Sequence, residues 1–105
     1  MLEKYYENKL RTGVQKLGCG VRCLKFESPG FTGVPDRIIL LPGAKVVFVE
    51  LKQPGKMERK RQLYVQSLLR KLGFEVFSAV DSLEKIEAVI ERCKEVMRSE
   101  GYSGI

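Results

Sequence analysis

Three charged residues stand where an apolar hairpin should be ending. Asp36 leads into the apolar run Ile38 to Leu41, Pro42-Gly43 supplies a turn, and Glu50 and Lys52 close the run Val46 to Leu51. Charges at the ends of buried strands are costly unless something compensates them. Two carboxylates about 5 Å apart repel by about 3 kcal/mol at an effective dielectric near 20. A hard divalent cation reverses that sign, and magnesium is commonly held by one or two carboxylates while keeping several waters. A lysine two residues past the second carboxylate could orient the attacking water or offset developing negative charge. Metal, carboxylates and ammonium together make a set for metal-assisted hydrolysis, with phosphodiester cleavage as the natural reaction.

The strands must bring these groups together. Alternation along a strand sends Glu50, Lys52, Phe48 and Val46 to one face and Val47, Val49 and Leu51 to the other. Asp36 joins Glu50 if Ile38 lies opposite Phe48, which needs an odd-length loop such as Pro42 to Ala44. A one-residue slip would turn Asp36 to the wrong face. Spacing leaves both registers open, and the chemistry selects the first.

Elsewhere the pattern is regular. Residues 3 to 17 read as a helix with the stripe Leu2, Tyr6, Leu10, Val14 and Leu17, ended by Gly18 and Gly20. Val21 to Phe26 read as a strand, and Ser28 to Gly33 as a loop. Lys56 to Leu72 read as a second helix stopped by Gly73, Phe74 to Val80 as a fourth strand, and Asp81 with Glu84 as a capping box opening a last helix through about Met97. The order helix, three strands, helix, strand, helix predicts an α/β domain. Its first three strands form an antiparallel meander, and its fourth lies parallel to the third across a right-handed helical crossover. Residues 1 to 98 form one domain, and 99 to 105 are expected to be a flexible tail.

Composition narrows the partners. The chain has 105 residues and a net charge of +6, which favours a polyanionic partner. Lys56, Arg59, Lys60 and Arg61 cluster just after Lys52, with Lys25 and Arg37 flanking the loop to Asp36. Next to a carboxylate site these are candidate phosphate contacts. Phe31 is expected as an anchor into the core or a subunit interface, with a wedge into bound nucleic acid as the other reading, and Tyr5, Tyr6 and Tyr64 as packing or interface residues. Three cysteines and no histidine disfavour both a disulfide framework and a zinc site. No apolar run reaches the ~18 residues of a membrane span, and the N-terminus lacks a signal-peptide core, so a cytoplasmic protein is expected.

Pro35-Asp36 followed by Glu50-Leu51-Lys52 resembles the PD-(D/E)XK nuclease signature. The longer set is similar to the virus-type replication-repair nuclease (VRR-NUC) domain over roughly residues 3 to 91. It comprises Gly-Val-Pro-Asp-Arg, Phe-Val-Glu-Leu-Lys-Gln-Pro-Gly, Lys-Arg-Gln and Leu-Gly-Phe-Glu-Val. The resemblance implies that Asp36, Glu50 and the Leu51 carbonyl bind Mg2+, with Mn2+ able to substitute, and that Lys52 acts on the water or phosphate. It implies an acidic residue from the first helix, for which Glu7 fits better than Glu3 and could act through a water. It also implies a glutamine from the helix after the lysine strand, Gln62 ahead of Gln66. The activity implied is that of a stand-alone, bacterial or phage-encoded DNA endonuclease resembling Holliday-junction resolvases and acting as a homodimer. A flap or other branched-DNA nuclease, and a non-catalytic nucleic-acid-binding module, are the alternatives.

Overall fold

A computed structural model describes residues 2–102. Helix α1 (Leu2–Gln15) is followed by strands β1 (Arg22–Lys25), β2 (Arg37–Leu41) and β3 (Lys45–Leu51). Helix α2 (Lys60–Lys71), strand β4 (Glu75–Val80) and helix α3 (Leu83–Ser99) complete the chain. The sheet order is β1-β2-β3-β4, with the first three strands antiparallel and β4 parallel to β3. This is the expected mixed sheet and element order. No helix among the described residues is long and apolar enough to cross a membrane.

The main core lies between α1, α3 and one sheet face. Tyr6, Leu10 and Val14 of the α1 stripe are buried, Leu17 packs at its edge, and the side chain of Leu2 lies outside the described residues. They meet Ile39, Val47, Val49 and Leu51 from the strands and Ile86, Val89, Cys93 and Met97 from α3. Burial pushes the Cys23 thiol up to about 11 and the Cys93 thiol up to about 12, so both are inert apolar fillers. The other sheet face holds a smaller aromatic group, in which Phe48 packs against Phe26 at 5.6 Å and edge-on against Phe74 at 5.4 Å between ring centroids. Helix α2 covers this face only beside β4, leaving Leu24 and Leu40 exposed.

The hairpin register is the one the chemistry selected. Leu41 pairs with Lys45, Ile38 with Phe48 and Arg37 with Val49, around the three-residue loop Pro42 to Ala44. Gly43 (φ 78°) and Ala44 (φ 60°) both adopt left-handed backbone there, which lets so short a loop reverse the chain.

Three local expectations need correction, and β4 adds a feature that the pattern did not show. Helix α2 begins at Lys60, not Lys56, because Pro54-Gly55 forms a separate turn closed by Lys56 N–H to Gln53 O, and Arg59 is still extended at the cap position. The cap of α3 is Ser82, whose Oγ accepts from Lys85 N–H at 3.2 Å, while Asp81 forms an ion pair with Lys85 at 3.0 Å. Ser99 is helical, and Gly101 and Tyr102 close the helix by donating to Arg98 O and Met97 O. Only residues 103–105 of the expected tail lie outside the described residues. Finally, β4 carries a bulge: Val49 pairs with Phe77 but Leu51 with Val80, so one extra residue faces Glu50, and Ala79 takes φ 52°.

Candidate metal and phosphodiester site

The register carries Asp36 to the end of β3. One step beyond the Arg37–Val49 pair, Asp36 Oδ1 accepts a hydrogen bond from Leu51 N–H at 2.9 Å. Glu50 is 5 % exposed although it is charged, and its Oε1 is buried with no hydrogen-bond partner. Burial, and secondly the neighbouring Asp36 carboxylate, push the Glu50 carboxyl up to about 7. Asp36 is raised too, chiefly by burial, against the opposing pull of the Leu51 amide. Two crowded carboxylates with an orphaned oxygen form a donor set suited to a hard cation. The Leu51 carbonyl leaves the strand on the same side as the Leu51 amide that holds Asp36, which adds a third oxygen. Among the described residues, no group of three or more Asp, Glu, His or Cys side chains is gathered closely enough to hold a metal.

Lys52 and Gln62 complete the arrangement. Lys52 Nζ lies 3.8 Å from Glu50 Oε2 and donates to Gln62 Oε1 at 3.0 Å. Gln62 Nε2 in turn donates to Glu50 Oε2 at 3.1 Å. The same Gln62 Oε1 accepts from Arg59 N–H at 2.8 Å, the reach-back of an N3 glutamine to its helix cap. One side chain therefore ties the start of α2 to Glu50 and to Lys52 just past the end of β3. Gln66 takes a different role: it is 1 % exposed and donates to Glu58 Oε2 behind the cleft. Glu58 was absent from the sequence expectations, yet its charge also raises Glu50. Nothing in its local pattern signals this, because the contact that holds Glu58 comes from buried Gln66, eight residues further along the chain.

The cleft has a volume of about 390 Å³ and is lined by Glu3, Asp36, Glu50, Leu51, Lys52, Gln53, Lys56, Met57, Arg59 and Gln62. The expectation for α1 is corrected: Glu3 lines the cleft, whereas Glu7 is ion-paired with Arg37 on the core side of the sheet. Arg37 follows Asp36 in the strand and must point to the opposite face, so alternation alone could have removed it from the DNA-contact candidates. Lys25 shares that opposite face and forms an exposed pair with Glu27 at 3.6 Å. Arg61 is also committed, donating to Thr32 O at 2.9 Å and stacking on Phe31. Of the six expected phosphate contacts, Lys56 and Arg59 border the cleft and Lys60 is exposed at the start of α2.

A mixed sheet in this strand order, with Asp36, Glu50 and Lys52 converging at one end, is the core of the PD-(D/E)XK nuclease class. A solved VRR_NUC domain superposes with a TM-score of 0.76 at 26% identity, covering 87% of this chain and 96% of that chain. The phage protein named "Putative nuclease p44", from Acyrthosiphon pisum secondary endosymbiont phage 1, is 43% identical over 74 residues, 70% of this chain and 77% of its own length. No protein-family model matches the sequence. The chain belongs to the VRR-NUC family.

Proposed function

We propose that this protein is a Mg2+-dependent, structure-selective DNA endonuclease that hydrolyses phosphodiester bonds at four-way junctions, with Mn2+ able to replace Mg2+. The observation that carries the reading is the buried Glu50 carboxylate beside the half-buried Asp36, with Glu50 Oε1 unpartnered and Lys52 next to it. Asp36, Glu50 and the Leu51 carbonyl are the residues that would hold the metal. When bound there, it supplies an acidified water and neutralises charge on the phosphoryl oxygen.

The chain's own residues do the rest. Lys52, held by Gln62, directs its ammonium toward the water or the phosphate and stabilises negative charge as it develops. Glu3 stands where an acidic group from α1 could bind a metal-held water. Arg59, Lys56 and Lys60 offer positive charge to the sugar-phosphate backbone. The partly covered sheet face with exposed Leu24 and Leu40 supports a homodimer, since a two-fold arrangement matches the symmetry of a four-way junction.

The test is a substrate panel of labelled four-way junction, flap and linear duplex, each with Mg2+ and with chelator. Metal-dependent cutting of the junction in preference to the duplex is expected. Preference for the flap would select the branched-DNA alternative, and no cutting of any substrate would leave a non-catalytic binding module. Sedimentation at micromolar concentration tests the dimer.

A further inference from the structure

Three π-bearing side chains form a ladder between α2 and the loop that leads to Asp36. Arg61 is the middle rung, its guanidinium 4.5 Å from the centroid of the Phe31 ring and 5.3 Å from that of Tyr64. Its Nε donates to Thr32 O at 2.9 Å, which fixes the guanidinium plane. Gly33 (φ 91°) lets the loop pass close against it: a Cβ there would lie 2.7 Å from Arg61 Cγ and 3.1 Å from Arg61 O. The ladder is thus built by a glycine, a carbonyl and a helix turn acting together.

Its outer rungs are nevertheless left in solvent, with Phe31 39 % and Tyr64 56 % exposed. Stapling the loop needs only Phe31, Arg61 and Thr32; it gives Tyr64 no reason to be aromatic. Arg61 adjoins Gln62 of the site, and the loop bearing Phe31 runs on to Asp36. An exposed ring in a basic surface next to a phosphodiester site suits the flat face of a nucleobase, which stacks on aromatic and guanidinium planes with little regard to base identity. Bases inside a duplex already stack on each other, so the free face belongs to an unstacked base, as in a single-stranded arm or at the branch point of a junction.

We propose that the Phe31–Arg61–Tyr64 ladder is a stacking site for an unstacked nucleobase of the bound DNA, with Tyr64 as the contacting ring. This rests on the proposal that branched DNA lies in the cleft. The test measures anisotropy in chelator, where cutting is suspended, using a labelled duplex with a short single-stranded tail and a fully paired duplex. Tyr64→Ala should weaken the tailed DNA about 5- to 100-fold, the range expected for one base–aromatic stack, and should leave the paired DNA and the melting temperature unchanged. Tyr64→Trp should restore tailed binding. Equal loss on both DNAs, or no loss on the tailed one, overturns the stacking site alone. Failure of the unmodified protein to bind either DNA overturns the stacking site, and failure to bind a four-way junction measured alongside overturns the DNA-cleft reading with it.

Discussion

Gln62 donates from Nε2 to Glu50 and accepts at Oε1 from Lys52, so one amide holds both charged residues at the end of β3. Its oxygen also caps α2 through the Arg59 amide. Gln62→Ala should therefore lower both cutting and stability, the rate by about 10- to 100-fold, as for loss of a partner that orients metal or water ligands. The cost in stability should be about 1 kcal/mol, as for loss of a cap. Gln62→Glu keeps the cap acceptor but loses the donor to Glu50. The new carboxylate also stands against Glu50, so in chelator its melting temperature should fall at pH 8 and recover toward that of the unmodified protein at pH 5, while its rate stays low; recovery of the rate would show that Gln62 acts only as a cap.

Asp36→Asn and Lys52→Ala should each reduce Mg2+-dependent cutting by at least about 100-fold, on the scale of losing one group that stabilises transition-state charge. Junction binding measured in chelator should persist. Normal cutting by either variant would show that the site lies elsewhere.

The raised carboxyl of Glu50 makes a signed prediction about pH. Its value is about 7 in the folded chain against 4.5 ordinarily, so the folded state holds its proton more tightly than the unfolded state does. Its contribution is fully present below about pH 4.5 and is lost as pH rises through about 7. The raised Asp36 acts in the same direction. In chelator, thermal stability at pH 8 should lie below that at pH 5 by an amount on the order of 2 kcal/mol from this pair. Glu50→Gln should raise the metal-free melting temperature at pH 8, and Mg2+ should do the same for the unmodified protein. A flat pH profile in chelator would contradict the crowded pair.

The two acidic residues of α1 should separate cleanly. Glu7 is paired with a terminal nitrogen of Arg37, whose side chain is only 13% exposed and whose buried Nε has no hydrogen-bond partner. Glu7→Ala leaves that guanidinium stranded and should cost about 1–3 kcal/mol of stability. Glu3→Gln, at the cleft wall, should lower the cutting rate with little change in melting temperature. The opposite pattern would return Glu7 to the site.

These residues show where sequence suffices. Period-two alternation is a property of the extended backbone itself, so Glu50 and Lys52 had to share a face, whereas spacing left open the hairpin register that brings Asp36 to them, and only the chemistry favoured it. The same rule turned Arg37 away from the cleft. Element order and the parallel fourth strand followed from apolar periodicity and the handedness of crossovers.

Tertiary packing decided the remainder. Glu3 and Glu7 stand one turn apart on one helix, and only the seating of Leu10 and Val14 in the core fixes which of them reaches the cleft. Long, flexible side chains have no direction until partners exist: Gln62 found Glu50 and Lys52, Gln66 found Glu58, and Arg61 found Thr32 and two aromatic rings. The bulge opposite Glu50 places Ala79 in a conformation its own side chain disfavours by about 1–2 kcal/mol, so local preference opposes it and only the surrounding sheet imposes it. The sequence by itself determined which strand face carries the chemistry, because alternation is local. The tertiary structure decided which helix side chains join it, because helix rotation and side-chain partners are set by contacts between residues far apart in the chain.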